Sequence, residues 1–187
     1  MDCPGFGASG PEGALPSLAA QAAALAPLLV TRGGRRTILV GHSLGGPIIA
    51  QAAVDFPDRA GPLVIVAGSL DPGLERIHWA QRVGAWPPVA ALLPRALRNA
   101  NAELMVLEPQ LAALGPRLAA IACPVAIVRG TRDQLVPFAN VAFMQQSMAG
   151  AARMEVMTLQ DRNHFLPWNS MDMVRRAISW AAGAGPC

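Results

Sequence analysis

Apolar residues along this chain fall into two patterns. One is the short continuous run: Thr37-Ile38-Leu39-Val40, Leu63-Val64-Ile65-Val66-Ala67 and Val125-Ala126-Ile127-Val128, with Met154 to Leu159 as a fourth strand candidate. Runs that are continuous, not alternating, predict parallel strands covered on both faces. The other pattern is helical. Leu18, Ala22, Leu25 and Leu29 recur at helical spacing behind Ser17, an N-cap residue, with Gly33-Gly34 as the stop and Pro27 as an interruption that shortens or kinks the helix. Pro47 suits a first helical turn, and Ile48, Ile49, Ala52 and Ala53 give an apolar face that Phe56-Pro57 closes. Val174, Ile178 and Ala181 predict a last helix capped by Ser170 and ended by Gly183. Strands alternating with helices predict the α/β class, a mostly parallel sheet with flanking helices and right-handed crossovers.

The regularity breaks between Ser69 and Cys123, where Trp79, Trp86, Pro87, Pro88, Pro94, Pro109 and Pro116 punctuate short helical patterns. This stretch is expected to be a helical cap insert over residues 70–122, leaving 1–69 and 123–187 as the core. Its tryptophans have two readings: rings buried for packing, or rings that line a substrate site.

Composition narrows the class. The chain has 187 residues, 52% of them apolar and 14% charged, enough for one domain with a large core and incompatible with disorder. The formal charge is +3, and every basic residue is Arg, never in runs longer than Arg35-Arg36 or Arg175-Arg176. No polybasic stripe exists, so nucleic acid is not an expected partner. Cys3, Cys123 and Cys187 form an odd set without C-x-x-C spacing, which argues against a disulfide scaffold and a structural metal. The stretch from Leu18 to Val30, interrupted by Gln21 and Pro27, is too short for a membrane span. Met1 leads into the turn residues Asp2-Cys3-Pro4-Gly5 and not into a signal segment, so the visible chain reads as cytoplasmic.

The candidate chemistry centres on Gly41-His42-Ser43-Leu44-Gly45-Gly46, between an apolar strand and a helix. The bare G-x-S-x-G pattern is weak, but this setting gives it weight. A serine in such a turn takes a strained backbone with its oxygen exposed, and flanking glycines let the chain double back. The following amide, Leu44 N–H, then points from a helix N-terminus toward developing negative charge. A serine hydroxyl needs a base, and the base an orienting carboxylate. His42 lies within the turn, where its side chain should point away from Ser43, and His78 lies in the insert. His164, in the polar loop Asp161-Arg162-Asn163-His164-Phe165, is the natural base. Asp133, just after the third strand run, is the preferred acid over Asp161 and over Glu155, which falls inside a strand; a plain turn or capping role is its simpler reading.

The order Ser43, Asp133, His164 resembles that of the α/β-hydrolase family. Asp2-x-Pro4-Gly5-Phe6-Gly7-x-Ser9 is similar to a loop ahead of that family's first core helix. Gly41 to Gly46 is similar to its nucleophile elbow, Gly130-x-x-Asp133-x-x-Val136-Pro137 to its acid loop, and Asn163-His164-Phe165 to its histidine loop. The resemblance implies Ser43 as nucleophile, Asp133 as acid, His164 as general base and the Leu44 amide as one oxyanion donor. It implies a carboxylesterase-like serine hydrolase that needs no metal or cofactor; the apolar insert, with Trp79, Trp86, Leu92, Leu93 and Leu104, suggests a small, hydrophobic acyl substrate, with Trp79 and Trp86 as candidate lining residues. Serine at the nucleophile position disfavours the dehalogenase and epoxide-hydrolase branches, whereas perhydrolase and carbon-carbon hydrolase chemistry would use the same three residues. The family's second oxyanion donor, on a loop marked by a His-Gly pair, has no counterpart here. The strands that carry it, about 60 residues at ordinary element lengths, are expected upstream of Met1. An uncovered apolar sheet edge is expected in their absence. A truncated, non-catalytic interaction module is the rival reading.

Overall fold

The computed structural model describes residues 3–10, 12–185 and 187; Met1 and Asp2, the first residue of the Asp2-to-Ser9 motif, lie outside them. Ser17 accepts a hydrogen bond from Ala20 N and starts helix α1 (Leu18–Leu25), which tightens into a 3₁₀ turn at Ala26–Leu28, where Pro27 sits. Strands β1 (Thr31–Arg32) and β2 (Arg35–His42) follow, then α2 (Gly45–Asp55) and β3 (Ala60–Val66). The long connection to the next strand holds α3 (Trp79–Ala85), α4 (Pro87–Leu92), α5 (Arg95–Leu104) and α6 (Leu107–Leu114). The chain ends with β4 (Val125–Gly130), α7 (Asn140–Ser147), β5 (Met154–Leu159), the single turn α8 (Leu166–Asn169) and α9 (Met171–Gly183).

The sheet order is β1-β2-β3-β4-β5, parallel throughout except for the β1–β2 pair. Gly33 and Gly34 turn the chain between those two strands, both at positive φ, instead of only stopping α1. Every residue of β3 and β4 is buried, as continuous apolar runs require. Leu63, Ile65, Val125 and Ile127 face a core built with α1, α2, α6 and α7. Val64, Val66, Ala126 and Val128 face Leu166 of α8 and Val174, Ala177 and Ala181 of α9 on the other side. Beyond its two residues paired with β1, the outer edge of β2 (residues 37–42) carries no strand among the described residues, and Val40 there is exposed.

Four expectations are corrected. Trp79 and Trp86 are 69% and 61% exposed, so they are not rings buried for packing. Leu107, Leu111 and Leu114 of α6, followed by Leu118 and Ile121, belong instead to the main core, so part of the 70–122 stretch is core structure. Cys123 and Cys187 form a disulfide, because the fold brings the end of the chain beside the start of β4, a proximity that cysteine spacing does not reveal. Ser170 takes the N-cap position of α9, but its side chain makes no capping bond; its hydroxyl donates to Asn169 Oδ1.

Candidate active site

The turn after β2 places Ser43 at φ 54°, a left-handed conformation that L-residues other than Gly rarely adopt. Ser43 N–H donates to Val66 O (2.9 Å) and Ser43 O accepts from Gly46 N (2.9 Å), so both neighbouring elements fix the turn. A Cβ on Gly41 would lie 2.2 Å from Gly45 O, which makes glycine obligatory there. Gly45 has open space at its Cβ position, so the steric demand does not extend to it, contrary to the sequence expectation. Leu44 precedes α2, and its N–H has no acceptor among the described residues.

The loops after β4 and β5 are fastened to each other. Thr131 N–H donates to Leu159 O, Arg132 N–H to Arg162 O and Asp161 N–H to Thr131 Oγ1. At Gly130 a Cβ would stand 2.3 Å from Arg162 O, so the approach depends on that residue having none. The result is a 2.9 Å hydrogen bond between His164 Nδ1 and Asp133 Oδ2, with the Asp133 side chain fully withdrawn from water and that of His164 at 7% exposure. Asp133 Oδ1 accepts from Leu135 N (3.0 Å) and Val136 N (2.9 Å). Burial pushes the Asp133 carboxyl up, but the hydrogen bonds from His164 and Val136 and the charge of Arg129 outweigh it and hold the group below its ordinary value. Asp161, the rival acid, pairs instead with Arg132 on the surface, at 72% side-chain exposure for both.

The three predicted residues thus differ in how closely they are joined. Asp133 and His164 are bonded directly. Among the described residues Ser43 Oγ makes no hydrogen bond to His164; the link runs through His42, whose Nε2 lies 2.9 Å from His164 O and whose ring centroid is 4.9 Å from that of His164. Burial lowers the His42 pKa, its contact with the His164 carbonyl acting the other way. His78 caps α3, accepting from Ala80 N at Nδ1, and stands apart from this chemistry.

Sequence reasoning passed over two supports. Arg129, a lone charge at the end of an apolar strand run, is completely buried and donates to Asp133. Asn99 of α5, also buried, donates to Gly5 O (2.8 Å) and Glu12 O (2.9 Å) and so holds the loop of the Pro4-to-Ser9 motif. No helix among the described residues is long and apolar enough to cross a membrane.

A family model described as the alpha/beta hydrolase family matches residues 1–177 of the chain. The chain belongs to the alpha/beta hydrolase family. It is 33% identical to RutD of Klebsiella pneumoniae strain 342, a protein whose name describes it as a carbamate hydrolase, with 79% of this chain and 67% of that relative covered. The structure resembles the monoacylglycerol lipase of Paleococcus ferrophilus, with a TM-score of 0.73 at 16% identity, covering 98% of this chain and 82% of the other. It also resembles E-2-(acetamidomethylene)succinate hydrolase, with a TM-score of 0.66 at 21% identity and coverages of 97% and 80%. These named relatives are hydrolases; at such identities the two structures speak for the fold alone.

Proposed function

We propose that this chain carries the catalytic groups of a carboxylesterase-like serine hydrolase, with Ser43 as nucleophile, His164 as general base and Asp133 as the acid that orients it. The observation that carries this reading is the buried 2.9 Å Asp133–His164 bond, formed at the same sheet end as the left-handed Ser43 turn. In the reaction, His164 takes the Ser43 hydroxyl proton as the oxygen attacks the acyl carbon. The imidazolium then gives that proton to the leaving group as its bond to carbon breaks. Water repeats the sequence in reverse, freeing the acid and Ser43. Leu44 N–H, at the edge of α2 and without an acceptor among the described residues, is suited to hold the developing oxyanion.

The substrate class is an ester or a similar acyl bond of a small, apolar molecule, and the carbamate in the relative's name is one such bond. Within residues 70–122, the α3–α5 part outside the main core acts as a cap whose exposed Trp79 and Trp86 meet substrate. Phe165 and Trp168, both exposed beside the His42 and His164 rings, extend that apolar rim. A cytoplasmic location completes the proposal; in that reducing compartment Cys123 and Cys187 would be held as thiols. The alternative, a non-catalytic interaction module, draws on the open outer edge of β2.

Fluorophosphonate labelling decides between them. The probe is expected to label the wild-type chain at Ser43, and Ser43→Ala to lose both labelling and hydrolysis of a short-chain nitrophenyl ester by about four orders of magnitude or more. Equal labelling of wild type and Ser43→Ala removes Ser43 from the mechanism. A chain that labels without turning over points to weak stabilisation of the oxyanion, since one donor to it is worth about 10² to 10³ in turnover.

A further inference from the structure

We propose that Arg129 is a positioning residue, pinning the Asp133 carboxylate against the loop after β4 and sharing its negative charge with His164. Arg129 and Asp133 both have side chains at 0% exposure. Arg129 Nη1 donates to Asp133 Oδ2 at 3.1 Å, the same oxygen that His164 Nδ1 meets at 2.9 Å, and Nη2 donates to Gly68 O at 2.6 Å. Its Nε is buried without a partner among the described residues. A guanidinium costs heavily in such a place, where the rest of β4 apart from Gly130 is apolar, so a fold that needed only packing there would be served by an aliphatic residue.

The arrangement has a chemical consequence. An aspartate bonded only to an imidazole stabilises the imidazolium with its whole charge and makes the base prone to hold its proton before reaction. A cation on the same carboxylate oxygen takes up part of that charge. The bond to Gly68 O further ties the acid to the point where the chain leaves β3 for the helical segment. The titratable and charged groups facing the His164 ring are Asp133 and Arg129 from the β4 side and His42 from the serine turn; its other ring neighbour is Phe165.

This inference rests on the serine-hydrolase reading for its effect on rate, but its first test does not. The His164 ring is titrated by NMR in the full chain for wild type, Arg129→Gln and Arg129→Lys. The midpoint is expected to rise in Arg129→Gln by on the order of one pH unit and to stay near wild type in Arg129→Lys, which keeps the charge. An Arg129→Gln midpoint within about 0.2 pH units of wild type, in a folded protein, overturns the proposal. Kinetically, the acid limb of kcat/KM against pH should follow the same displacement. Arg129→Lys, lacking the fork that reaches Asp133 and Gly68 together, should lower kcat about tenfold at unchanged KM. If Arg129→Gln does not fold, an Arg129→Lys chain with wild-type kcat overturns the proposal. A displaced midpoint together with Ser43→Ala hydrolysis equal to wild type would instead sustain Arg129 and reject the serine.

Discussion

Asp133 and Glu103 are both carboxylates drawn out of water, one in the loop after β4 and the other in α5, and their surroundings treat them oppositely. Asp133 has an arginine, a histidine and two backbone N–H groups around it, and its pKa is lowered. Glu103 is 3% exposed; Oε1 accepts from Leu15 N, Oε2 has no hydrogen-bond partner among the described residues, and burial raises its pKa. Glu75, at the entry to the helical segment, is raised for the same reason despite the bond from Ser69. The strand-end region therefore invests its polar groups in keeping one charge ready, whereas the helical region uses a carboxylate to tie a loop and tolerates the cost of burying it.

The largest break in this contrast should come from Asp133→Asn. The substitution keeps the shape but removes the charge and the tautomer control of His164, and kcat for ester hydrolysis should fall by about 10⁴. A fall of less than tenfold would demote Asp133 to a turn residue. Next in size is Asn99→Ala, which orphans Gly5 O and Glu12 O and should lower stability to urea by about 1–3 kcal/mol.

A pH series sharpens the comparison. Because its folded pKa lies below the ordinary value of 3.8, Asp133 contributes stability that is complete above that value and lost as pH falls through the lower folded one. Glu103, raised above 4.5, does the reverse: its ionisation penalises the fold at neutral pH, and the penalty lifts as pH falls through the raised value toward 4.5. Urea midpoints from pH 7 to 3 should show Glu103→Gln flattening the upper window and Asp133→Asn the lower; superimposable curves would contradict both assignments. The smallest effect is expected at Trp79→Ala and Trp86→Ala, whose exposed rings should change stability by no more than about 0.5 kcal/mol even where they alter KM.

How far the sequence revealed all this depends on the range of the interaction. The buried runs of β3 and β4 were legible because two covered faces demand unbroken apolar residues, and the serine turn because its backbone demands glycine at Gly41. The β1–β2 turn is readable in principle, since Gly33-Gly34 between short polar segments is a hairpin signal as well as a helix stop. Leu107, Leu111 and Leu114 had core-facing helical spacing but lay in a stretch assigned wholly to the insert. Arg129 and Asn99 were illegible, because their partners at Gly68, Gly5 and Glu12 are chosen by the fold and not by neighbouring residues.

The Cys123–Cys187 bond closes a covalent ring of chain, with a sequence separation of 64, that contains both Asp133 and His164 and leaves Ser43 on the open part. Such a closure restricts the unfolded ensemble by about 4 kcal/mol in the chain-entropy picture. In a compartment kept reducing by glutathione that contribution would vanish, so Asp133 and His164 would be carried on an untethered segment there and on a ring only where oxidation is permitted.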